Sequence, residues 1–190
     1  GEHDLVGVIT GVVEKDKIIT GEAIQPGDMV LGLPSSGLHT NGYSLARKLF
    51  FEIGSYGVND MIPELEKSVG LTLLEPHINY TNNVFAVLDK EINVKGMAHI
   101  TGGGLIENIP RILPDGCSVE INKESWPSLP IFDLMQSIGS VDEDEMYRTF
   151  NMGIGMIIIV APGQVNNIKK TIDLYEIGFV VAGGKQVNII

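Results

Sequence analysis

Along the 190 residues, short runs crowded with Val, Ile, Leu and Met alternate with segments in which apolar residues return every third or fourth position. The first kind fits a β-strand, whose side chains alternate between two faces, and the second an amphipathic helix with one buried stripe. Strands are predicted over residues 5–13, 29–34, 97–100, 118–121, 154–160 and 179–181, all rich in Val and Ile, and the closing "GGKQVNII" reads as a terminal strand. Helices are predicted between them. Over residues 41–53, Leu45, Leu49, Phe50 and Ile53 recur at helical spacing; Val84, Val87, Leu88 and Glu91 do so in part; Val165, Ile168, Ile172 and Tyr175 do so again. Asn41 or Ser44 is the expected cap of the first helix, Pro162 with Gly163 the turn before the last, and "KDK" at 15–17 a polar hairpin turn. The acidic run 142–145 reads as the solvated start of a further helix. Helices interleaved with such strands predict an α+β domain, a mixed, largely antiparallel sheet flanked by helices.

Composition narrows the class. Hydrophobic residues make up 44% of the chain and charged ones 19%, which predicts a folded domain with a real core. A formal net charge of −11 argues against broad contact with nucleic acid or an anionic membrane, since both need clustered Lys and Arg. A bound anion must therefore be held locally. Cys117 is the sole cysteine, so no internal disulfide exists; a small buried side chain in a reducing compartment is expected. No apolar stretch approaches the roughly 20 residues of a membrane span, and a soluble, cytoplasmic protein is expected. The abrupt opening, with Gly1 where an initiator Met would stand, suggests a piece of something longer.

Three stretches carry candidate chemistry. In "GMAHITGGGL", residues 96–105, a short strand ends in His99, Thr101 and the glycines Gly102, Gly103 and Gly104, directly before a helical pattern. Backbone N–H groups at such a turn favour an anion, and glycine lets a phosphate come close; close packing of helix on sheet would require the same glycines. In "LPSSGLHTNGYSLARKL", residues 33–49, Ser35, Ser36, Gly37, His39 and Asn41 fall between a strand and a helix, dense in hydrogen-bonding groups, although turns are built from these residue types as well. His39 and His99 are candidate proton carriers. The histidines at 3, 39, 77 and 99 show no close metal-ligand spacing, and no metal site is expected within the chain. In "EMYRTFNMGIGMIIIV", residues 145–160, Asn151 and Arg148 are the polar exceptions in an apolar run. Arg148 suits a phosphate or, preferably, the acidic run just upstream. Trp126 reads as a packing residue.

Taken together, "GDMVLGLPSSGLHTNGYSLARK", "VKGMAHITGGGLIENIPRILP", "SWPSLPIFDLMQ" and "EMYRTFNMGIGM" resemble the signature segments of the C-terminal domain of aminoimidazole ribonucleotide (AIR) synthetases, the phosphoribosylformylglycinamidine cyclo-ligases. The resemblance runs from about Asp4 to the C-terminus. It implies an enzyme that uses ATP and Mg²⁺ to close the imidazole ring of formylglycinamidine ribonucleotide in purine biosynthesis, giving AIR, ADP and phosphate. ATP would phosphorylate the formyl amide oxygen, which then leaves as the neighbouring nitrogen attacks. It further implies that residues 15–190 form the C-terminal domain, that residues 1–14 are the remnant of the last strand of a missing N-terminal domain with its linker, and that this missing domain binds most of the ATP and Mg²⁺ and much of the homodimer interface. Ser35, Ser36, Gly37, Asn41, Thr101, Gly102, Gly103, Gly104 and Asn151 would then hold the ribonucleotide substrate or its phosphate, with the chain alone inactive. Selenophosphate synthetases, thiamine-monophosphate kinases and a hydrogenase-maturation protein share the two-domain plan but resemble these segments less. A stand-alone binding or assembly module is the alternative outside enzymes.

Overall fold

The computed structural model describes residues 6–190. Strand β1 (Met29–Pro34) leads into helix α1 (Tyr43–Arg47), which widens into a π-helical turn over Lys48–Ile53. A two-stranded hairpin, β2 (Met61–Ile62) and β3 (Lys67–Ser68), precedes the short α2 (Val69–Leu73) and α3 (Thr81–Leu88). There follow β4 (Val94–His99), α4 (Gly104–Asn108), β5 (Cys117–Ile121), α5 (Pro130–Gly139) and α6 (Glu143–Thr149). The chain closes with β6 (Ile154–Val160), α7 (Val165–Lys169), β7 (Tyr175–Ala182) and β8 (Val187–Ile189).

Among the described residues six strands form one sheet in the order β4-β6-β1-β7-β5-β8. Every neighbouring pair is antiparallel except β5 and β8, so the sheet is mixed and largely antiparallel, as the residue pattern predicts. Strand β6 is the hinge of the design. It runs antiparallel to β1 on one side and to β4 on the other, so β1 and β4 point the same way. Pro34 pairs with Ile154 and His99 with Met156, which sets the outgoing ends of β1 and β4 beside the incoming end of β6.

The run "IGMIIIV" is apolar at consecutive positions because both faces of β6 are covered. Ile157 and Ile159 pack with Leu105 of α4 and with Ile109 in the 3₁₀ turn that follows it, whereas Ile158 and Val160 pack with Val87 of α3 and Ile168 of α7. Each such side chain, fully removed from water, contributes on the order of 1.5–3 kcal/mol. Beyond the sheet end, Phe50, Phe132, Met135, Met146 and Phe150 form a further cluster that ties α5 and α6 to the π-helical turn.

Several sequence expectations change here. The strand predicted over 5–13 does not form in its described part, and Leu5 lies outside the described residues. Val8, Ile9 and Val12 are each at least 90% exposed, with no strand beside them among the described residues, and an unpaired strand is not stable alone. "KDK" makes a 3₁₀ turn, Lys15–Lys17, and no hairpin, because β1 takes β6 and β7 as its neighbours. Gly42, at φ 78°, occupies the N-cap of α1, and neither Asn41 nor Ser44 caps it. The last helix stops at Lys169, so Ile172 packs from a loop and Tyr175 opens β7. Helix α5, which no pattern above singles out, buries Ile131, Phe132 and Met135. The acidic helix start is α6, with Asp142 as its N-cap.

Candidate functional site

Three loops meet at the sheet edge where β1 and β4 end and β6 begins. They are residues 35–41, 101–104 and 149–153, the segments that the sequence motifs select. Asn151 fastens two of them. Its Oδ1 accepts from Ser35 Oγ at 2.9 Å and from the Gly153 N–H at 2.8 Å, while its Nδ2 donates to the Gly37 carbonyl at 2.8 Å. The Ser35 N–H donates to Gly153 O at 2.8 Å, and Ile100 N–H to Gly155 O at 2.9 Å. Asn151 and Ser35 are both buried, and a buried amide whose oxygen and nitrogen both find partners within the protein acts as a brace.

The glycine loop has a brace of its own. Asn108, buried on α4, donates through Nδ2 to the carbonyls of Thr101, Gly102 and Gly104 and accepts the Thr101 hydroxyl at 3.1 Å. Among the described residues the N–H groups of Thr101, Gly102 and Gly103 donate to no protein acceptor, whereas that of Gly104 is taken by Thr101 O at 3.0 Å. Both roles weighed for the glycines therefore occur in one loop. Gly104, at φ +55°, has no room for a Cβ, which would collide with the Tyr147 carbonyl oxygen, while Gly102 is open apart from Asn41 Oδ1. Trp126 packs as expected and donates from Nε1 to Met152 O at 2.8 Å, steadying the loop before β6.

The histidines form the least expected part of the site. His39, His77 and His99 come together although 22 or more residues separate each from the next. His39 stacks on His77 with ring centroids 4.0 Å apart, and the Nε2 atoms of His77 and His99 lie 2.9 Å apart. His39 is 3% exposed at φ +58°, accepts the Ser36 N–H on Nε2, and leaves its buried Nδ1 without a partner among the described residues. Burial above all, and then the charges of His77 and His99, push its pKa down to about 4. Burial and His99 also lower that of His77. Gly155 makes space for this group: a side chain there would collide with Tyr80 Oη and stand 2.7 Å from His39 Cε1. His99 opens onto a cavity of about 380 Å³ lined by Asn79, Tyr80, Phe85 and Met156.

Of the candidate residues, Ser36 donates from Oγ to Pro76 O at 2.7 Å, and Asn41 reaches towards Gly102 across the cleft. Arg148 is exposed on α6 and makes no ion pair among the described residues, with the acidic run or otherwise. Cys117 is buried. Among the described residues, no group of three His, Cys, Asp or Glu is placed to hold a metal ion, and no helix is long and apolar enough to cross a membrane. His77 is the site residue that spacing missed, since its loop is brought to the site by long-range bonds at the end of β1, Ser36 Oγ to Pro76 O and Tyr80 Oη to Pro34 O.

Comparison with known proteins gives this geometry a context. Residues 25–189 match the model of a family described as AIR synthase related protein, C-terminal domain. Over 182 residues, 95% of this chain, there is 50% identity to the phosphoribosylformylglycinamidine cyclo-ligase of Thermoanaerobacter sp. (strain X514), and over 187 residues, 96% of the chain, 46% to that of Geobacillus thermodenitrificans (strain NG80-2). Each alignment takes in 54% of the relative, so the chain spans about half the length of the curated relatives it matches. Among solved structures, the E. coli hydrogenase maturation protein HypE superposes with a TM-score of 0.59 at 18% identity, over 94% of this chain and 50% of its own. Thiamine-monophosphate kinase from Stenotrophomonas maltophilia K279a gives 0.57 at 16%, over 93% and 54%. A HypE in complex with ATP gives 0.58 at 14%, over 93% and 51%. At these identities the superpositions show a shared fold.

Proposed function

Because the chain belongs to the family of AIR synthase related C-terminal domains, we propose that it forms the substrate-holding half of an ATP-dependent ligase. That ligase closes the imidazole ring of formylglycinamidine ribonucleotide to give AIR, ADP and phosphate in purine biosynthesis. The identity of about half the residues to cyclo-ligases supports this reaction over those of the fold neighbours, which share 14–18%. The observation that carries the reading is the convergence of the three braced loops on one sheet edge.

Each part of that edge has a task in such a reaction. The N–H groups of Thr101, Gly102 and Gly103 are unspent donors in a chain of net charge −11, and they suit a phosphate held by backbone rather than by Lys or Arg. Asn151 and Asn108 fix the loops before substrate arrives, and preorganised donors lose little on binding. Ser35, Ser36, Gly37 and Asn41 form the facing wall, and His99, exposed at the end of β4 beside the cavity lined by Asn79 and Tyr80, serves as a proton carrier. The reading gives ATP and Mg²⁺ chiefly to the N-terminal domain of a longer protein, since the described residues here offer no cluster of metal ligands. When bound, ATP would turn the amide oxygen into a leaving group. The same reading places residues 1–14 at the junction with that domain, and the longer protein in the cytoplasm as a homodimer.

Two measurements test it. The longer protein should release ADP on addition of formylglycinamidine ribonucleotide, ATP and Mg²⁺, and the 190-residue chain alone should release none above background. Crystals grown in phosphate should show the anion on the N–H groups of residues 101–103. Turnover of thiamine monophosphate instead of the ribonucleotide would overturn the assignment.

A further inference from the structure

We propose that His77 and His99 act as one proton-carrying pair, in which His77 is a positioning residue that leaves His99 Nδ1 as the open base of the site. The inference rests on the ligase reading for its chemistry but on the histidine geometry for its existence.

Two imidazole nitrogens 2.9 Å apart are at hydrogen-bond distance, and such a bond requires one Nε2 to carry a proton and the other a lone pair. His77 Nδ1 lies 3.3 Å from Thr40 Oγ1, a hydroxyl that can donate or accept; in the proposed arrangement it accepts, so that His77 holds its proton on Nδ1 and offers the Nε2 lone pair to His99. His99 Nε2–H then donates to His77, and His99 Nδ1 keeps a lone pair with no partner among the described residues. His99 also lines the cavity beside Tyr80 and Asn79, where a ligand can reach it.

The neighbours restrict the charge of the pair. His39 covers the far face of His77, is itself buried, and already spends its Nε2 on the Ser36 N–H. Tyr80, tilted towards both His39 and His99, donates its hydroxyl to Pro34 O at 2.7 Å. Glu75, two residues before His77, is paired with Lys67. No carboxylate among these groups is left to stabilise a second imidazolium. The pair therefore accepts one proton, on His99 Nδ1, and the cation is held by its bond to His77 Nε2. A second proton would have to displace that bond. In ring closure the attacking nitrogen forms a C–N bond, the phosphorylated oxygen leaves with the C–O electron pair as phosphate, and the nitrogen sheds one proton. His99 Nδ1 is placed to take that proton.

The test is spectroscopic and needs no activity. In the 190-residue chain labelled with ¹⁵N-histidine, His77 should show the Nδ1–H tautomer, which is the minor form of free histidine. The two Nε2 nuclei should couple across their hydrogen bond at pH 8, and the pair should take up one proton rather than two between pH 8 and 5. His77→Leu should abolish the coupling, and His77→Gln, which keeps an acceptor, should hold His99 in its Nε2–H form. Independent titration of the two rings without coupling, or an Nε2–H proton on His77, overturns the proposal. In the longer protein His77→Leu should lower kcat roughly 10-fold or more with KM little changed, with partial rescue in His77→Gln. Full activity of the leucine variant overturns the positioning role. Absence of ring closure by the unaltered longer protein would instead sink the ligase reading, and the spectra would still decide the pair.

Discussion

The two ends of strands β1 and β4 hold buried polar groups of opposite kinds. At the incoming end, Lys95 Nζ reaches both carboxylate oxygens of Asp28, at 2.6 and 2.8 Å, and Asp28 also accepts the Gln25 N–H at 2.8 Å. The side chains are 9% and 2% exposed, and every charge has its partner. At the outgoing end His39 is buried beside the half-buried His77 and the exposed His99, and its Nδ1 has no partner among the described residues. One end is closed and the other has unspent capacity. Buried polar groups are normally satisfied, so the end that breaks the rule is the end to search for function.

Breaking the closed end should produce the largest effect. Asp28→Ala leaves the Lys95 ammonium buried without its counter-charge, at a cost of about 3–5 kcal/mol. Replacing both, Asp28→Leu with Lys95→Met, should recover most of the loss, because the pair's attraction mainly offsets its own desolvation. Urea unfolding of the three chains measures this. A single-variant loss below about 1 kcal/mol would mean that the incoming end is wetter than its burial implies.

At the open end the counterpart is a dependence on pH. The pKa of His39 is about 4 in the folded chain against the ordinary 6.5, so between those values the unfolded chain binds the extra proton. Its contribution is therefore intact above pH 6.5 and is lost as pH falls towards 4, by about 3 kcal/mol at most. Other groups titrate in the same range, so the useful quantity is the difference between the chain and His39→Gln. That difference should shrink as pH falls from 7.5 to 4.5. A constant difference would show that His39 takes up its proton as readily in the folded chain as in the unfolded one, and the contrast between the two ends would fail.

How much of this was legible depends on the range of the interaction. Strands 29–34 and 154–160 stand where the Val and Ile runs put them, because a strand buried on both faces writes its burial into consecutive residues. The loops named from "SSGLHTN", "HITGGG" and "FNMG" do share one edge, since parallel β1 and β4 flanking antiparallel β6 leave them no other place. The exposed run Val6 to Val13 has the same local signal as a strand, yet pairing depends on a neighbour that local pattern does not report. Helix α5 was hidden by Pro130, which starts it at the first turn, where proline is tolerated. His77 was invisible for a similar reason, because its partners are made by topology. Asn151 was found as a polar exception in an apolar run and Ser35 as one of a loop's hydrogen-bonding residues, but their use as braces is plain only from their hydrogen bonds.

The smallest effects separate the two roles of the glycine loop. Gly104→Ala puts a methyl against the Tyr147 carbonyl at a left-handed φ of +55°, and relief requires moving α6; about 2–3 kcal/mol of stability should be lost. Gly102 is two residues away but meets nothing closer than Asn41 Oδ1, at 3.5 Å, and its φ lies outside the left-handed region. Gly102→Ala should therefore change stability by no more than about 0.5 kcal/mol. Its added methyl nonetheless stands between the Asn41 loop and the glycine loop, over the N–H groups proposed to hold the phosphate. Phosphate binding, followed by shifts of the Thr101 and Gly103 amide resonances, should weaken in Gly102→Ala while its melting temperature stays put. Unchanged amide shifts on phosphate titration in both the variant and the parent would leave packing against Tyr147 as the reason for these glycines.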